Sequence, residues 1–487
     1  MTLHAHPALR GALAALLIAG GAGTLPAQAL DRTKPPAPGP MPTVRTPAVV
    51  KRSLPNGLQV WTVTQREIPT INAALVIRAG AVHDGADAGL ASMTASLLDE
   101  GTARLSALDF ARAVDALGAS LGAFASSERT TVSLSTLKKT GTEAFALMGE
   151  LVTQPAFAAE ELERDRKSRL QSLRQQKDQP TVIASNTFAA RVYGADHPYG
   201  RPSSGTPETI GAISREDVTS FYGTYYRPNN AVLVVVGDVT ADEAMALATR
   251  AFGEWKRGDV PAAAAAIPAR PAARPAAVYL VDKPGAAQSE IRIGHPGAAR
   301  STDPDYYALQ VLNTVLGGQF SSRINLNLRE SKGYTYGARS GWTFSRGDGP
   351  FVASAGVFTA KTDSSLIEFL RELRDIRAGR PVTDEEVAFA KRTIVQGYPR
   401  SIETNAGVVS QLADLAFFGL PEAEMTNFLT RVQAVRPADV TRVARRYLQP
   451  DQFTIVVVGD LATIRPGIEA LNLGPVTVLD ADGMALQ

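Results

Sequence analysis

Cysteine is absent from this 487-residue sequence and histidine is scarce, with five residues in all. Without cysteine there can be no disulfide framework, thiol nucleophile, iron–sulfur cluster or thiolate-ligated zinc, so histidines and carboxylates are the only strong metal ligands available. The two signs of charge are nearly balanced, because 50 Lys and Arg face 48 Asp and Glu and give a net charge of +2. This balance gives no reason to expect nucleic acid or an acidic membrane as the partner, since these usually require a clustered basic face.

The N-terminus predicts a segment that is removed during export. An apolar run over residues 11–25 precedes Ala27-Gln28-Ala29, a pattern typical of a secretory signal peptide over residues 1–29. The run is shorter than the roughly 20 residues that a membrane span needs. Residues 30–52 hold six prolines and predict an extended, solvated tether. We therefore expect a periplasmic or secreted mature protein without a membrane span.

The chain contains an internal duplication. Val234-Val235-Val236-Gly237-Asp238 recurs as Val456-Val457-Val458-Gly459-Asp460, and Asp217-Val218-Thr219 recurs as Asp439-Val440-Thr441. Both pairs lie 222 residues apart (456 minus 234 and 439 minus 217). Residues 261–277 are rich in alanine and contain helix-breaking prolines, which indicates an interdomain linker. We therefore expect two related domains, 53–260 and 278–487.

Strand and helix signals occur in both halves. The β-branched runs 231–236 and 454–458 predict buried strands that end at Gly-Asp turns. Residues 161–176 predict a charged amphipathic helix, and Thr383-Asp384-Glu385-Glu386 is a capping box that opens another. This mixture predicts the α+β class, with a sandwich in each half in which helices cover one face of a sheet.

Several motifs together carry a family resemblance. Residues 89–102 show a helical apolar stripe closed by Gly101, and His197-Pro198-Tyr199-Gly200 and Tyr225-Tyr226-Arg227-Pro228-Asn229 follow later in the same half. With the two Val-Gly-Asp strand ends, these segments resemble the pitrilysin family of inverted-zincin metallopeptidases, and in particular its mitochondrial-processing-peptidase-like members. The resemblance spans nearly the whole mature chain. It implies two homologous domains, each a mainly antiparallel sheet covered by helices.

The resemblance also implies where a zinc site would lie. In the family the first helix carries His-x-x-Glu-His, whose histidines bind zinc and whose glutamate activates the metal-bound water. In this chain the histidine slots hold Ser92 and Ser96, the glutamate slot holds Ala95, and the slot of the third ligand holds Ser172. None of these side chains can take over those roles. We therefore expect no metal or other cofactor in this chain, because the three histidines after the signal segment lie among turn and strand-end motifs.

The second half keeps an arginine and a tyrosine that the resemblance assigns to catalysis. Arg329 and Tyr336 have the family spacing of seven residues, and their donors would stabilise an oxyanion at the scissile carbonyl or hold the substrate main chain. The alternative is a surface ion pair of Arg329 with Glu330 and a half-buried tyrosine. Gly317 and Gly318 resemble a family loop that substrate peptide approaches, and a plain helix-ending turn is the alternative there.

These features predict a non-catalytic subunit of a heterodimeric zinc metallopeptidase that acts on extended peptides. The expected partner is a homologous catalytic subunit with an intact zinc motif, to which Arg329 and Tyr336 would be supplied in trans. One alternative is a catalytically silent scaffold or peptide-binding protein of the same fold. Another is an autonomous zinc peptidase with unusual ligands, which would require stoichiometric zinc in the purified chain.

Overall fold

The computed structural model describes residues 46–261, 267–301 and 303–486. The predicted signal peptide and most of the predicted tether lie outside these residues. Within them, the strands form two six-stranded mixed sheets, one from each half of the chain. No helix in these ranges is both long and apolar enough to cross a membrane.

The first half supplies one sheet and a series of α-helices. Its strands are β1 (Val50–Ser53), β2 (Gln59–Thr64), β3 (Thr70–Ile77), β4 (Ser120–Ala125), β5 (Thr130–Leu137) and β6 (Ala231–Gly237). Its helices are α1 (Leu90–Ser96), α2 (Ala107–Ala116), α3 (Gly141–Thr153), α4 (Ala159–Gln176), α5 (Pro180–Tyr193), α6 (Pro207–Ala212), α7 (Arg215–Tyr225) and α8 (Ala241–Phe252). The strand order is β1-β2-β6-β3-β5-β4, in which β2 and β6 are parallel and the other neighbours antiparallel.

The second half repeats this plan. Its strands are β7 (Ala277–Asp282), β8 (Gln288–Pro296), β9 (Thr335–Trp342), β10 (Pro350–Phe358), β11 (Thr454–Gly459) and β12 (Val476–Leu479). Its helices are α9 (Pro304–Leu316), α10 (Arg323–Asn325, continued as a π-helix over Leu326–Ser331), α11 (Thr362–Asp375), α12 (Asp384–Ser401), α13 (Asn405–Phe418), α14 (Ala423–Ala434), α15 (Pro437–Tyr447) and α16 (Leu461–Ala470). The strand order is β12-β7-β11-β8-β10-β9, with β7 parallel to β11 and β12 and the other pairs antiparallel.

The duplicated α+β fold predicted from the sequence is confirmed. Helices α7 and α15 begin 222 residues apart (437 minus 215), and each is followed by a buried strand, β6 or β11. The capping box also forms, because the Thr383 hydroxyl accepts the Glu386 N–H at 3.2 Å and the Glu386 carboxylate accepts the Thr383 N–H at 2.8 Å at the start of α12. Both sheets are mainly antiparallel and are covered by helices.

Each sheet also receives a helix from the other half, which the sequence did not indicate. Helix α13 packs on β3 and β6, where Leu412 lies among the buried valines Val76 and Val234. Helix α5 packs on β8 and β11, where Phe188 contributes to a cluster with Val456. The expectation of helices on one face of each sheet was therefore incomplete. Strands that are apolar on both faces need cover on both faces, and the exchanged helices supply it.

Three element ends differ from those expected. Strand β1 includes residues 50–52, the end of the predicted tether, because this stretch lacks proline and pairs with β2. Strand β7 takes in Ala277 from the predicted linker. Helix α1 ends at Ser96, well before Gly101, because the Leu98 N–H reaches back three residues to a carbonyl in a tight turn.

Candidate functional site

Helix α1 turns two serines away from the core of the first half. Its apolar side chains are buried, whereas Ser92 and Ser96 lie half-buried on its other side. The helix start is fixed by Asp84, whose carboxylate accepts the N–H groups of Gly89 and Ala91 at 2.8 Å each. The two histidine slots of the predicted zinc motif are therefore on one accessible face of a well-anchored helix.

An arginine from α4 occupies the space between these serines. Arg169 donates to the Ser92 hydroxyl at 3.0 Å, the Ser92 carbonyl at 3.1 Å and the Ser96 hydroxyl at 2.8 Å. Its Nε donates to Asp165, one turn earlier in α4, at 2.6 Å, and the Ser96 hydroxyl donates to the same carboxylate at 3.1 Å. We call these four residues the Arg169 cluster. The side chains of Arg169 and Asp165 are only 17% and 20% exposed, so the ion pair is largely shielded from water.

Two carboxyl groups near the ends of α1 hold protons unusually tightly. Burial raises the pKa of Asp84 to about 7, against the opposing effect of its two backbone hydrogen bonds. Burial also raises the pKa of Asp99 to about 6, and the charges of Glu100 and Asp165 act in the same direction. Burial at the two ends of α1 therefore favours the protonated form of both carboxyl groups.

Arg329 and Tyr336 lie at the surface of the second half, where the π-helix gives way to β9. Arg329 is partly exposed and forms an ion pair with Glu330 at 3.2 Å, and Tyr336 is 77% exposed. Strand β9 carries one extra residue here, because its step from Thr335 to Ala338 pairs with a two-residue step on β10. A β-bulge of this kind re-aims side chains, and Tyr336 lies within it.

Each of these two side chains packs against an exposed phenylalanine. The Arg329 guanidinium lies over the Phe320 ring at 4.7 Å, and the rings of Tyr336 and Phe358 are 6.1 Å apart in an edge-on arrangement. Phe320 and Phe358 are themselves 57% and 42% exposed. We call these four residues the Arg329 face. The ion pair with Glu330 is present, as expected if Arg329 has only a surface role, but Tyr336 is largely exposed rather than half-buried.

Gly317 and Gly318 have a packing role. A side-chain carbon on Gly317 would lie 2.3 Å from the Ser340 nitrogen of β9, and one on Gly318 would lie 2.7 Å from the Asn313 amide. The Gly317 carbonyl accepts the Ser340 N–H at 3.0 Å. Close approach of this loop to β9 therefore requires glycine, which supports the helix-ending turn. A contact with substrate at these two positions stays a prediction.

Comparison with known proteins places this geometry in a family. The family model described as insulinase (peptidase family M16) matches residues 59–204, and the model described as peptidase M16 inactive domain matches residues 212–394. An uncharacterised zinc protease of Mycobacterium leprae is 30% identical over 373 residues, which cover 76% of this chain and 82% of that protein. The chain belongs to peptidase family M16. The predicted pitrilysin-type membership is thus confirmed.

Other proteins resemble this chain in sequence or in structure. A non-peptidase homologue of Helicobacter pylori is 23% identical and covers 78% of this chain and 87% of its own length. The crystal structure of a peptidase M16 inactive domain from Pseudomonas fluorescens superposes with a TM-score of 0.79 at 29% identity, covering 85% of this chain and 98% of that one. This chain is therefore similar to M16 proteins of the catalytically inactive type.

The residues in the predicted zinc slots do not fit a zinc ion. Both serine hydroxyls are engaged by Arg169, Ala95 offers a methyl group, and the Ser172 hydroxyl accepts from Gln176 at 3.3 Å. Neutral hydroxyls are weak zinc ligands, and an adjacent guanidinium repels a cation. In the described ranges, no three His, Asp or Glu side chains come together in a way that could hold a metal.

The three described histidines lie in turns or at a strand end, and each bonds to main-chain groups nearby. His83 accepts the Gly80 N–H at 3.1 Å, and His197 accepts the Tyr199 N–H at 3.1 Å. His295 contacts the carbonyl of the next residue at 2.8 Å and accepts the N–H of Gln449 at 3.2 Å. Burial lowers the pKa of His295 to about 4, so this ring is neutral at physiological pH.

Sequence reasoning missed Arg169, Phe320 and Phe358. The only local signal for Arg169 was its position four residues after Asp165, a spacing that reads as an ordinary surface pair on a charged helix. The two phenylalanines carried no signal, because their partners lie nine and 22 residues away (329 minus 320 and 358 minus 336).

Proposed function

We propose that this chain is the non-catalytic subunit of a heterodimeric M16 zinc peptidase. A homologous subunit with an intact His-x-x-Glu-His motif binds the zinc, and this chain supplies Arg329 and Tyr336 to an extended peptide held there. The observation that carries the proposal is the contrast between two sites. Two slots of the predicted zinc motif are bonded to Arg169, whereas Arg329, paired with Glu330 at 3.2 Å, and Tyr336 lie at the surface.

The chemistry follows from the type of donor. A guanidinium and a phenol hydroxyl aimed at the scissile carbonyl stabilise the negative charge that develops on its oxygen, and they act most strongly when the partner's surface excludes water. Phe320 beneath Arg329 and Phe358 beside Tyr336 restrict both side chains before substrate arrives. The proposal places the protein in the periplasm or outside the cell, on the basis of residues 1–29.

The test is peptidase activity of a reconstituted pair. The chain is co-expressed with a homologous chain that retains His-x-x-Glu-His, and cleavage of a quenched fluorescent peptide is followed with and without a chelator. Arg329→Ala or Tyr336→Phe should lower kcat by about 10² to 10³, the scale of losing an oxyanion donor. Matched controls are Arg465→Ala, an exposed ion-paired arginine on α16, and Tyr334→Phe. Unchanged activity in both site variants would refute the assigned role.

A silent scaffold or peptide-binding protein is the second candidate. The observation that favours it is the resemblance to a protein named a non-peptidase homologue. Under this alternative, Arg329→Ala weakens binding of a fluorescently labelled unstructured peptide, measured by anisotropy, while no reconstituted pair depends on Arg329 for hydrolysis. The two candidates therefore differ in the kcat of the pair.

A further inference from the structure

We infer that the Arg169 guanidinium acts as a fixed substitute for the metal ion in this chain, tying α1 to α4 and excluding a cation from the space between them. The residues in the predicted zinc slots lack metal ligands. In addition, the space between them is filled by a positive group that bonds to two of the four slots. The inference concerns this chain alone and does not depend on a partner subunit.

The hydrogen bonds of the cluster show that the guanidinium is close to saturated. A guanidinium has five N–H donors, and four contacts are made: one to Asp165, two to Ser92 and one to Ser96. Few donors are left for a bound anion, so the cluster is a closed structural element rather than an anion-binding site. A structural metal site is closed in the same sense, since all of its coordination positions are filled by protein.

The sequence of α4 explains why such a tie is needed. Only Leu162 and Leu173 of its 18 residues are buried, so the helix has little apolar surface to hold it in place. Arg169 instead reaches across to α1 and bonds to the side chain and the carbonyl of Ser92. The positive charge is balanced within the cluster by Asp165 at 2.6 Å. A divalent cation would have to displace this balanced pair.

Two ligand-restored variants test the exclusion of metal. The first carries Ser92→His, Ala95→Glu, Ser96→His and Ser172→Glu with Arg169 retained, and the second adds Arg169→Met. Each full chain is incubated with zinc sulfate, dialysed, and measured for zinc per chain by elemental analysis. We expect less than about 0.1 zinc per chain in the first variant and about one in the second. One zinc per chain with Arg169 retained, or no zinc in either folded variant, would overturn the inference.

Hydrogen exchange on the otherwise unaltered chain tests the tie between the helices and does not require the restored variants to fold. Arg169→Met should speed exchange of the α1 amides by at least about tenfold, because α1 loses its three hydrogen bonds to Arg169 of α4. Arg174→Met, an exposed arginine on the same helix, is the matched control and should leave them unchanged. If Arg169→Met does not fold, Arg169→Lys is used, and it should give the same change in smaller degree. Unchanged α1 exchange in the folded variant would contradict the role.

Discussion

The helix pair α1 and α4 in the first half corresponds to α9 and α12 in the second, but the two pairs differ in what is added to their apolar packing. In the second half, Leu312 of α9 belongs to the same buried cluster as Val387 and Ala390 of α12. In the first half, Met93 of α1 and Leu162 of α4 also share a buried cluster, and Arg169 adds hydrogen bonds between the two helices. One duplicated scaffold therefore buries apolar side chains of both helix pairs and adds a hydrogen-bonded ion pair in the first.

The largest loss of stability should come from disrupting the apolar packing between α9 and α12. Leu312 is fully buried, so Leu312→Ala removes buried methyl groups and leaves a cavity. We expect a loss of about 2–5 kcal/mol in the free energy of unfolding, measured by urea denaturation. Ile367→Ala, at a position 49% exposed on α11, is the control and should change little. A loss below about 1 kcal/mol for Leu312→Ala would show that apolar packing does not hold this pair.

Removing the Arg169 guanidinium from between α1 and α4 should lower the free energy of unfolding by less. Arg169→Met leaves Asp165 with the Ser96 hydroxyl as its remaining partner, and we expect a loss of about 1–3 kcal/mol. Replacing both charges, in Arg169→Met/Asp165→Leu, should restore part of the loss, because no unpaired carboxylate is left behind. Urea denaturation of the two single variants and the double variant forms a thermodynamic cycle. Additive losses would mean that the two charges do not interact.

The pH dependence of stability should depend in part on Asp84 in the first half. Burial raises the folded-state pKa of Asp84 from 3.8 to about 7, so the folded chain binds this proton more tightly than the unfolded chain does. Its contribution to stability is fully present below about pH 4 and is lost as the pH rises through about 7. Asp84→Asn should flatten this decline between pH 4 and 7 in urea denaturation. A decline that is equally steep in the variant would exclude Asp84 as its source.

The smallest effects on stability should come from the Arg329 face. Phe320→Ala and Phe358→Ala remove side chains that are 57% and 42% exposed, so each should change the free energy of unfolding by no more than about 0.5 kcal/mol. In the reconstituted pair, each should still lower kcat, though by less than Arg329→Ala, because it loosens the neighbouring donor without removing it. Loss of stability without loss of activity would assign both rings to packing instead.

Local signals predicted the scaffold because each acts within a few residues. The seven buried residues of β6 and the capping box of Thr383 could be interpreted from neighbouring residues alone. The family resemblance predicted that Ser92 and Ser96 stand in zinc-motif positions. It did not predict their hydrogen bonds to Arg169, because Arg169 reaches them from a helix more than 70 residues further along the chain. The exchange of α5 and α13 was missed for the same reason, since it is a contact between distant segments.

The exchange of helices has a consequence for the order in which the chain becomes structured. The valines of β3 and β6 that α13 covers, such as Val76 and Val234, stay exposed until residue 418 has been synthesised. That is 181 residues after β6 ends (418 minus 237), or roughly 10–35 s at the usual rates of translation. The first sheet therefore cannot finish folding on a ribosome that has produced only the first half.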